Sequence, residues 1–293
     1  MIDLASLNAA TRADLVAALD GVVEHAPWVV EGAAAARPFA SLAALLAAFE
    51  RGISAGDEAA RLALVRAHPD LAGKAARAGA LTAESAAEQS SAGLDRLSEA
   101  DYARFHQLND AYKARFGFPF LVCVRRHGRE SLLRQYDRRL RNDAAAELRT
   151  ALGEIVRIVA LRLDQRVTAQ DRLPVHGRLS SHVLDTQRGR PAAGVAIELL
   201  ELDGDGAGRI VARAVTNADG RTDQPLIHGR PVPIARYEMR FAVAAYFAAQ
   251  GTPQADPPFL DTVPLRFAVA EPEANYHVPL LVTPWSYSTY RGS

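Results

Sequence analysis

The hydrophobic and polar positions of this chain follow two different periods, and the change falls near residue 170. Before it, apolar residues recur every three or four positions. Tyr102, Phe105, Leu108, Tyr112 and Phe116 form one such stripe, the spacing that puts side chains on one helix face. Ser98-Glu99-Ala100-Asp101 ahead of the stripe is a capping-box pattern, and Gly117 behind it suits a left-handed helix stop. Leu148, Leu152, Ile155, Val159 and Leu163 predict a long last helix with Asn142 as its cap. Earlier helices are predicted over 11–19, 41–51 and 57–67. This part reads as an all-α domain.

After residue 170 the period is two. Tyr237, Met239, Phe241 and Val243 point one way with mostly polar residues between them; Leu265, Phe267 and Val269 repeat the pattern, as do Ile197 and Leu199. Asp203-Gly204-Asp205-Gly206 and Asn217-Ala218-Asp219-Gly220 carry turn chemistry between strands. One short helix is expected over Tyr246–Gln250. Proline agrees with this division: four of the 16 prolines precede residue 170 and twelve follow it, as befits strands and loops rather than helices. The expected architecture is therefore multidomain: helices over 1–167, a linker over 168–177, and an all-β sandwich with one short helix over 178–293.

Composition narrows the function classes. The 293 residues are 49% hydrophobic and 23% charged, a balance that builds packed cores rather than a disordered or fibrous chain. The 34 basic and 34 acidic residues cancel, so no net field attracts nucleic acid or an anionic membrane. The run from Arg125 to Arg141 holds seven arginines, but it lacks interleaved aromatics and reads as a solvated helix face. Cys123 is the single cysteine, which excludes an internal disulfide and a multi-cysteine zinc site. Neither a leader nor a membrane-spanning stretch is read from the sequence, and a cytoplasmic location is expected.

In the helical part, Pro69 biases His68 out of helical geometry at a helix end. A histidine so placed suits proton transfer, though from spacing alone a helix-terminal histidine favoured by the dipole is the plainer reading. The polar run Glu84 to Asp95 reads alone as surface. Phe116-Gly117-Phe118-Pro119-Phe120 is an aromatic turn that could line a pocket or simply fill the core.

Taken together, H-P-D-L-A-G, E-Q-S-S-A-G-L-D, F-G-F-P-F and R-I-V-A-L-R-L over roughly residues 5–166 resemble the 2-oxo-4-hydroxy-4-carboxy-5-ureidoimidazoline (OHCU) decarboxylase family. The resemblance implies His68 as catalytic proton carrier, with Glu88 and Gln89 holding the hydroxyl and ureido groups of the substrate. It implies Pro69, Ser85 and the main chain of Phe120, Leu121, Val122, Cys123 and Val124 as pocket lining, and Arg162 facing the substrate carboxylate. Arg157, five residues upstream, competes for that last assignment.

In the strand part, His182 and His277 sit in predicted strands and Arg221 closes a turn. Two histidines and an arginine could polarise a carbonyl and activate water without a metal, could ligate zinc, or could be structural strand residues. The words L-S-S-H-V-L-D-T, T-N-A-D-G-R and the final Y-R-G-S over about residues 178–293 resemble the 5-hydroxyisourate hydrolase family, related to transthyretin. That resemblance implies His182, Arg221, His277 and Ser293 as the catalytic set and Tyr290 as a substrate contact. Jointly the two resemblances imply successive steps of urate breakdown without cofactor or metal. The partners implied are small-molecule substrates only, with no nucleic acid and no membrane, and a homotetramer forming through the strand part. The other class considered is a transthyretin-like binding protein fused to a helical module, or a chain with only one active part.

Overall fold

Side-chain caps start most of the helices, and the chain order follows from them. In the computed structural model, which describes every residue except 74, 75, 77, 205 and 293, α1 (Leu4–Ala9), α2 (Arg12–Ala18), α3 (Pro27–Ala34), α4 (Leu42–Ala55) and α5 (Glu58–Arg66) come first. Asp3, Thr11, Ser41 and Asp57 cap α1, α2, α4 and α5 by accepting backbone N–H groups of the first turn. Then follow α6 (Ala83–Ser91), α7 (Glu99–Phe116), α8 (Arg129–Arg139) and α9 (Ala144–Arg166). The Ser98 cap forms: its hydroxyl accepts the Asp101 N–H and donates to the Asp101 carboxylate at 2.7 Å, and Gly117 ends α7 at φ 75°. The cap of α9 is Asp143 rather than Asn142. The Asp143 carboxylate accepts the Ala146 N–H, while the Asn142 amide donates to Glu147 Oε2 at 2.6 Å.

The described residues cluster into two compact units, 1–125 with 131–175 and 126–130 with 176–293. The helical unit has one core, into which Leu45, Phe49, Phe105, Tyr112, Leu132, Tyr136, Ile155, Val159 and Leu163 are buried. The predicted α9 stripe is thus the core face, with Leu148 and Leu152 half-buried at its edge. The arginine run is not wholly solvated. Arg139 is 1% exposed because Glu147, itself 0% exposed, faces it at 2.6 Å and neutralises it inside the core.

The strand unit is built from a four-stranded antiparallel sheet in the order β10 (Thr262–Val269), β9 (Ala235–Ala242), β6 (Ala196–Leu202), β7 (Gly208–Val215), and from shorter strands. These are β3 (Gly177–Ser180), β4 (Val183–Asp185), β5 (Arg190–Pro191), β8 (Ile227–Arg230), β11 (Asn275–His277), β12 (Leu280–Val282) and β13 (Tyr287–Ser288), arranged as β11-β3-β8 and β13-β12-β4-β5. The remaining pair, β1 (Ile2–Asp3) and β2 (Val167–Thr168), runs parallel in the helical unit. Tyr237, Met239 and Phe241 of β9 point inward as their alternation predicts, but Glu238 is buried too, held by Arg240 and Arg266. Val243 starts the short helix α10 (Val243–Ala249), a few residues earlier than predicted. In the turn between β6 and β7 Asp205 lies outside the described residues, while the Gly206 N–H donates to the Asp203 carbonyl at 3.0 Å. Among the described residues no helix is long and apolar enough to cross a membrane.

Candidate active sites

In the helical unit one cavity gathers residues from four stretches of sequence: His68, Pro69 and Leu71 after α5; Ser85, Glu88 and Gln89 of α6; Phe120, Leu121, Val122 and Val124; and Ile158 and Arg162 of α9. The polar run begins with helix α6, whose inner face lines the cavity instead of lying wholly in solvent. Thr82 caps it, and Ser85 and Gln89 lie buried one turn apart on its inner face. Leu71 and Ile158 were not expected in the wall. Ile158 precedes Arg162 by four residues on α9, a spacing that could have revealed it.

The loop carrying His68 is braced from outside. Gln89 accepts the Ala72 N–H at 2.9 Å and donates to the Asp70 carbonyl at 3.4 Å. Lys113 pairs with Asp70 at 2.7 Å, and the Asn109 amide donates to the Leu71 carbonyl at 2.8 Å. His68 Nδ1 lies 2.9 Å from the Leu64 carbonyl. A carbonyl only accepts, so Nδ1 carries the proton and Nε2 of the neutral ring is left as an acceptor. Burial pushes the His68 pKa down, the Leu64 hydrogen bond and the Glu24 charge push it up, and Arg162 and His25 push it down; the outcome is below the ordinary imidazole value.

Arg162 is in the wall and Arg157 is not. Arg157 pairs with Glu154 at the half-exposed side of α9, whereas Arg162 donates from Nε to Glu88 Oε1 at 2.8 Å and from Nη2 to Glu88 Oε2 at 3.0 Å. Cys123 is absent from the side chains around the cavity: it packs with Ile158 and Leu161, and its N–H donates to Glu154 Oε2 at 2.8 Å. Phe120 serves both expected roles, lining the cavity and stacking on Tyr136 with ring centroids 3.7 Å apart. The cavity is narrow, ≈ 30 Å³ in volume, and opens to solvent.

In the strand unit, His182 follows β3 and bridges Arg221 in an antiparallel pair, so the turn 216–221 delivers the arginine to the histidine. His277 ends β11, opposite Ser180 of β3 in register, and the Ser180 hydroxyl lies 3.0 Å from His277 Nδ1. Both histidines titrate below the ordinary value, first through burial and then through the Arg221 charge. His182 Nε2 is buried without a hydrogen-bond partner among the described residues, so its lone pair or proton is uncommitted. Gly292 pairs with His277, and the Arg291 guanidinium lies over the Tyr276 ring at 4.8 Å. Tyr290 is exposed (59%), and Ser293 lies outside the described residues. Among the described residues no group of three His, Cys, Asp or Glu is placed to hold a metal ion.

Two families share this chain. Residues 8–164 match the OHCU decarboxylase family and residues 179–292 the HIUase/Transthyretin family. The chain therefore belongs to the OHCU decarboxylase family in its helical part and to the HIUase/Transthyretin family in its strand part. Its strand part is 55% identical over 118 residues to a 5-hydroxyisourate hydrolase of Deinococcus radiodurans, spanning 40% of this chain and 98% of that protein. Its helical part is 40% identical over 162 residues to the 2-oxo-4-hydroxy-4-carboxy-5-ureidoimidazoline decarboxylase of Amia calva, spanning 55% of this chain and 93% of that protein. A crystal structure of (S)-allantoin synthase aligns over 100% of both chains at 33% identity with a TM-score of 0.49.

Proposed function

We propose that this chain carries out two successive steps of urate breakdown. The strand unit hydrolyses 5-hydroxyisourate to OHCU, and the helical unit decarboxylates OHCU to (S)-allantoin. The observation that supports this best is the convergence of His68, Ser85, Glu88, Gln89 and Arg162 on one cavity in a chain that belongs to both families. In the strand unit the neutral histidines take a proton from water as it attacks the ring carbonyl, and Arg221 holds the developing oxyanion. In the helical unit the substrate carboxylate leaves as carbon dioxide and its bonding electrons pass into the imidazoline ring. A proton then reaches one ring face from His68, which fixes the product's handedness. Tyr290 and Ser293 complete the hydrolase pocket in this reading. The decarboxylase part is residues 1–167 and the hydrolase part 178–293, in a cytoplasmic homotetramer that assembles through the strand units.

The test is direct. Freshly generated 5-hydroxyisourate is mixed with the protein while its absorbance and the circular dichroism of the product are followed. Faster absorbance decay together with a single allantoin enantiomer is expected. Unchanged decay, or racemic product, would refute one step or the other.

A further inference from the structure

Glu24 stands in the loop between α2 and α3, outside every sequence word that drew attention, and its side chain is 4% exposed. Its Oε1 accepts three hydrogen bonds: from the Thr82 hydroxyl at 2.7 Å, the Ser85 hydroxyl at 2.8 Å and Arg162 Nη2 at 2.9 Å. Burial works against ionisation, but Thr82, Arg162, Ser85 and His68 outweigh it and hold the carboxyl below its ordinary pKa. Glu24 is thus a carboxylate. Its second oxygen, Oε2, is buried with no hydrogen-bond partner among the described residues. A buried ionised oxygen left unpaired is costly, so packing alone does not account for this residue.

Its position relative to the cavity is informative. Ser85, Glu88 and Arg162 line the cavity and Glu24 does not. Arg162 is therefore held by two carboxylates, Glu88 from the cavity side and Glu24 from behind. The guanidinium has five N–H donors. Nε and one Nη2 hydrogen serve Glu88, the other Nη2 hydrogen serves Glu24, and one from Nη1 goes to the Gly21 carbonyl at 3.0 Å. A single Nη1 hydrogen remains for a ligand. An anionic substrate that uses Arg162 and Glu88 together must loosen their mutual pair, and Arg162 then needs another anchor.

We infer that Glu24 is a positioning residue of the helical-unit site: it is the fixed counter-ion that holds the Arg162 guanidinium and the Ser85 hydroxyl in the cavity wall while Glu88 exchanges its pair with Arg162 for substrate. The inference rests on the decarboxylase reading above. Without the Glu24 charge, Glu88 becomes the sole counter-ion of Arg162 and grips it harder, so substrate competes less well.

Glu24→Gln keeps the shape and an accepting oxygen but removes the charge; Glu24→Asp keeps the charge. Steady-state decarboxylation of supplied OHCU by the full chain separates KM from kcat. Hydrolysis of 5-hydroxyisourate by the same samples and thermal melting control for folding. For E24Q we expect KM to rise at least tenfold with kcat within threefold of the parent and hydrolysis unchanged, and for E24D a KM within threefold of the parent. An E24Q protein with parental KM overturns the inference. So does one whose kcat and melting temperature collapse together without recovery in E24D, since that pattern marks a packing role. A parent chain that does not decarboxylate OHCU overturns the underlying reading and this inference with it, an outcome distinct from the first two.

Discussion

Gly292 and His277 exchange backbone hydrogen bonds in both directions, the Gly292 N–H to the His277 carbonyl at 2.8 Å and the His277 N–H to the Gly292 carbonyl at 3.3 Å. A Cβ added at Gly292 would sit 3.0 Å from His277 Cδ2 and 3.1 Å from its Cβ, so the glycine is what lets the two strands close against the imidazole. Gly292→Val is expected to push the ring aside and lower hydroxyisourate hydrolysis at least tenfold, about 1.4 kcal/mol of barrier. Decarboxylation of supplied OHCU should persist. Parental hydrolysis in this variant would mean that the His277 ring position does not matter.

His68→Ala removes the proposed proton carrier, which the loop after α5 places in the cavity wall. Stereospecific allantoin formation should fall more than a hundredfold, about 2.7 kcal/mol, with hydrolysis intact. Circular dichroism of the product reads the stereochemistry. A rate within threefold of the parent would exclude His68 as the carrier.

Arg221 lowers the pKa of both His182 and His277; Asp219 acts oppositely on His182, and Arg178 and the neighbouring histidine add to the lowering at His277. In Arg221→Gln both histidines should titrate at higher pH, as followed by NMR of the ring protons. A ring that works as a base loses activity as pH falls through its pKa, so the acid limb of residual hydrolysis should move up in pH. An acid limb that stays in place would mean neither ring is the base.

Glu147→Ala leaves Arg139 buried without its carboxylate and takes away the acceptor of the Tyr112 hydroxyl. Breaking a buried pair from one side costs about 3–5 kcal/mol. Denaturant unfolding monitored by the helical signal should show a loss of that size. A loss below about 1 kcal/mol would show that water or another group satisfies Arg139.

Most of the fold was readable because periodicity and capping are local. The α7 stripe, its Ser98 cap and its Gly117 stop all stand where the residues put them, and Tyr237, Met239 and Phe241 alternate into the core. What escaped was decided by tertiary partners. Asn142 and Asp143 are both good caps, and only the pull of Glu147 on Asn142 settles which one serves α9. Helix α6 is a polar stretch that carries no apolar stripe, so its Thr82 cap was the main local sign of it. The words of the helical part pointed to most of the cavity wall, including Pro69 and Ser85, but not to Leu71 or Ile158. Glu24 sits in no motif, and its role rests on hydrogen bonds to residues 58, 61 and 138 positions away.

The site around Arg162 also has a charge balance. One guanidinium lies between the carboxylates of Glu24 and Glu88, and His68 stays neutral near neutral pH, so the group carries a net negative charge before substrate arrives. A carboxylate substrate adds to it. The repulsion is relieved if a proton enters from solvent along with the anion, and the free Nε2 of His68 can receive it. Substrate binding in the proposed reaction is then linked to proton uptake, and the proton taken up is the one needed to replace the departing carboxylate. The histidine need not be charged in the resting protein, because the anion it acts on draws in the proton it delivers.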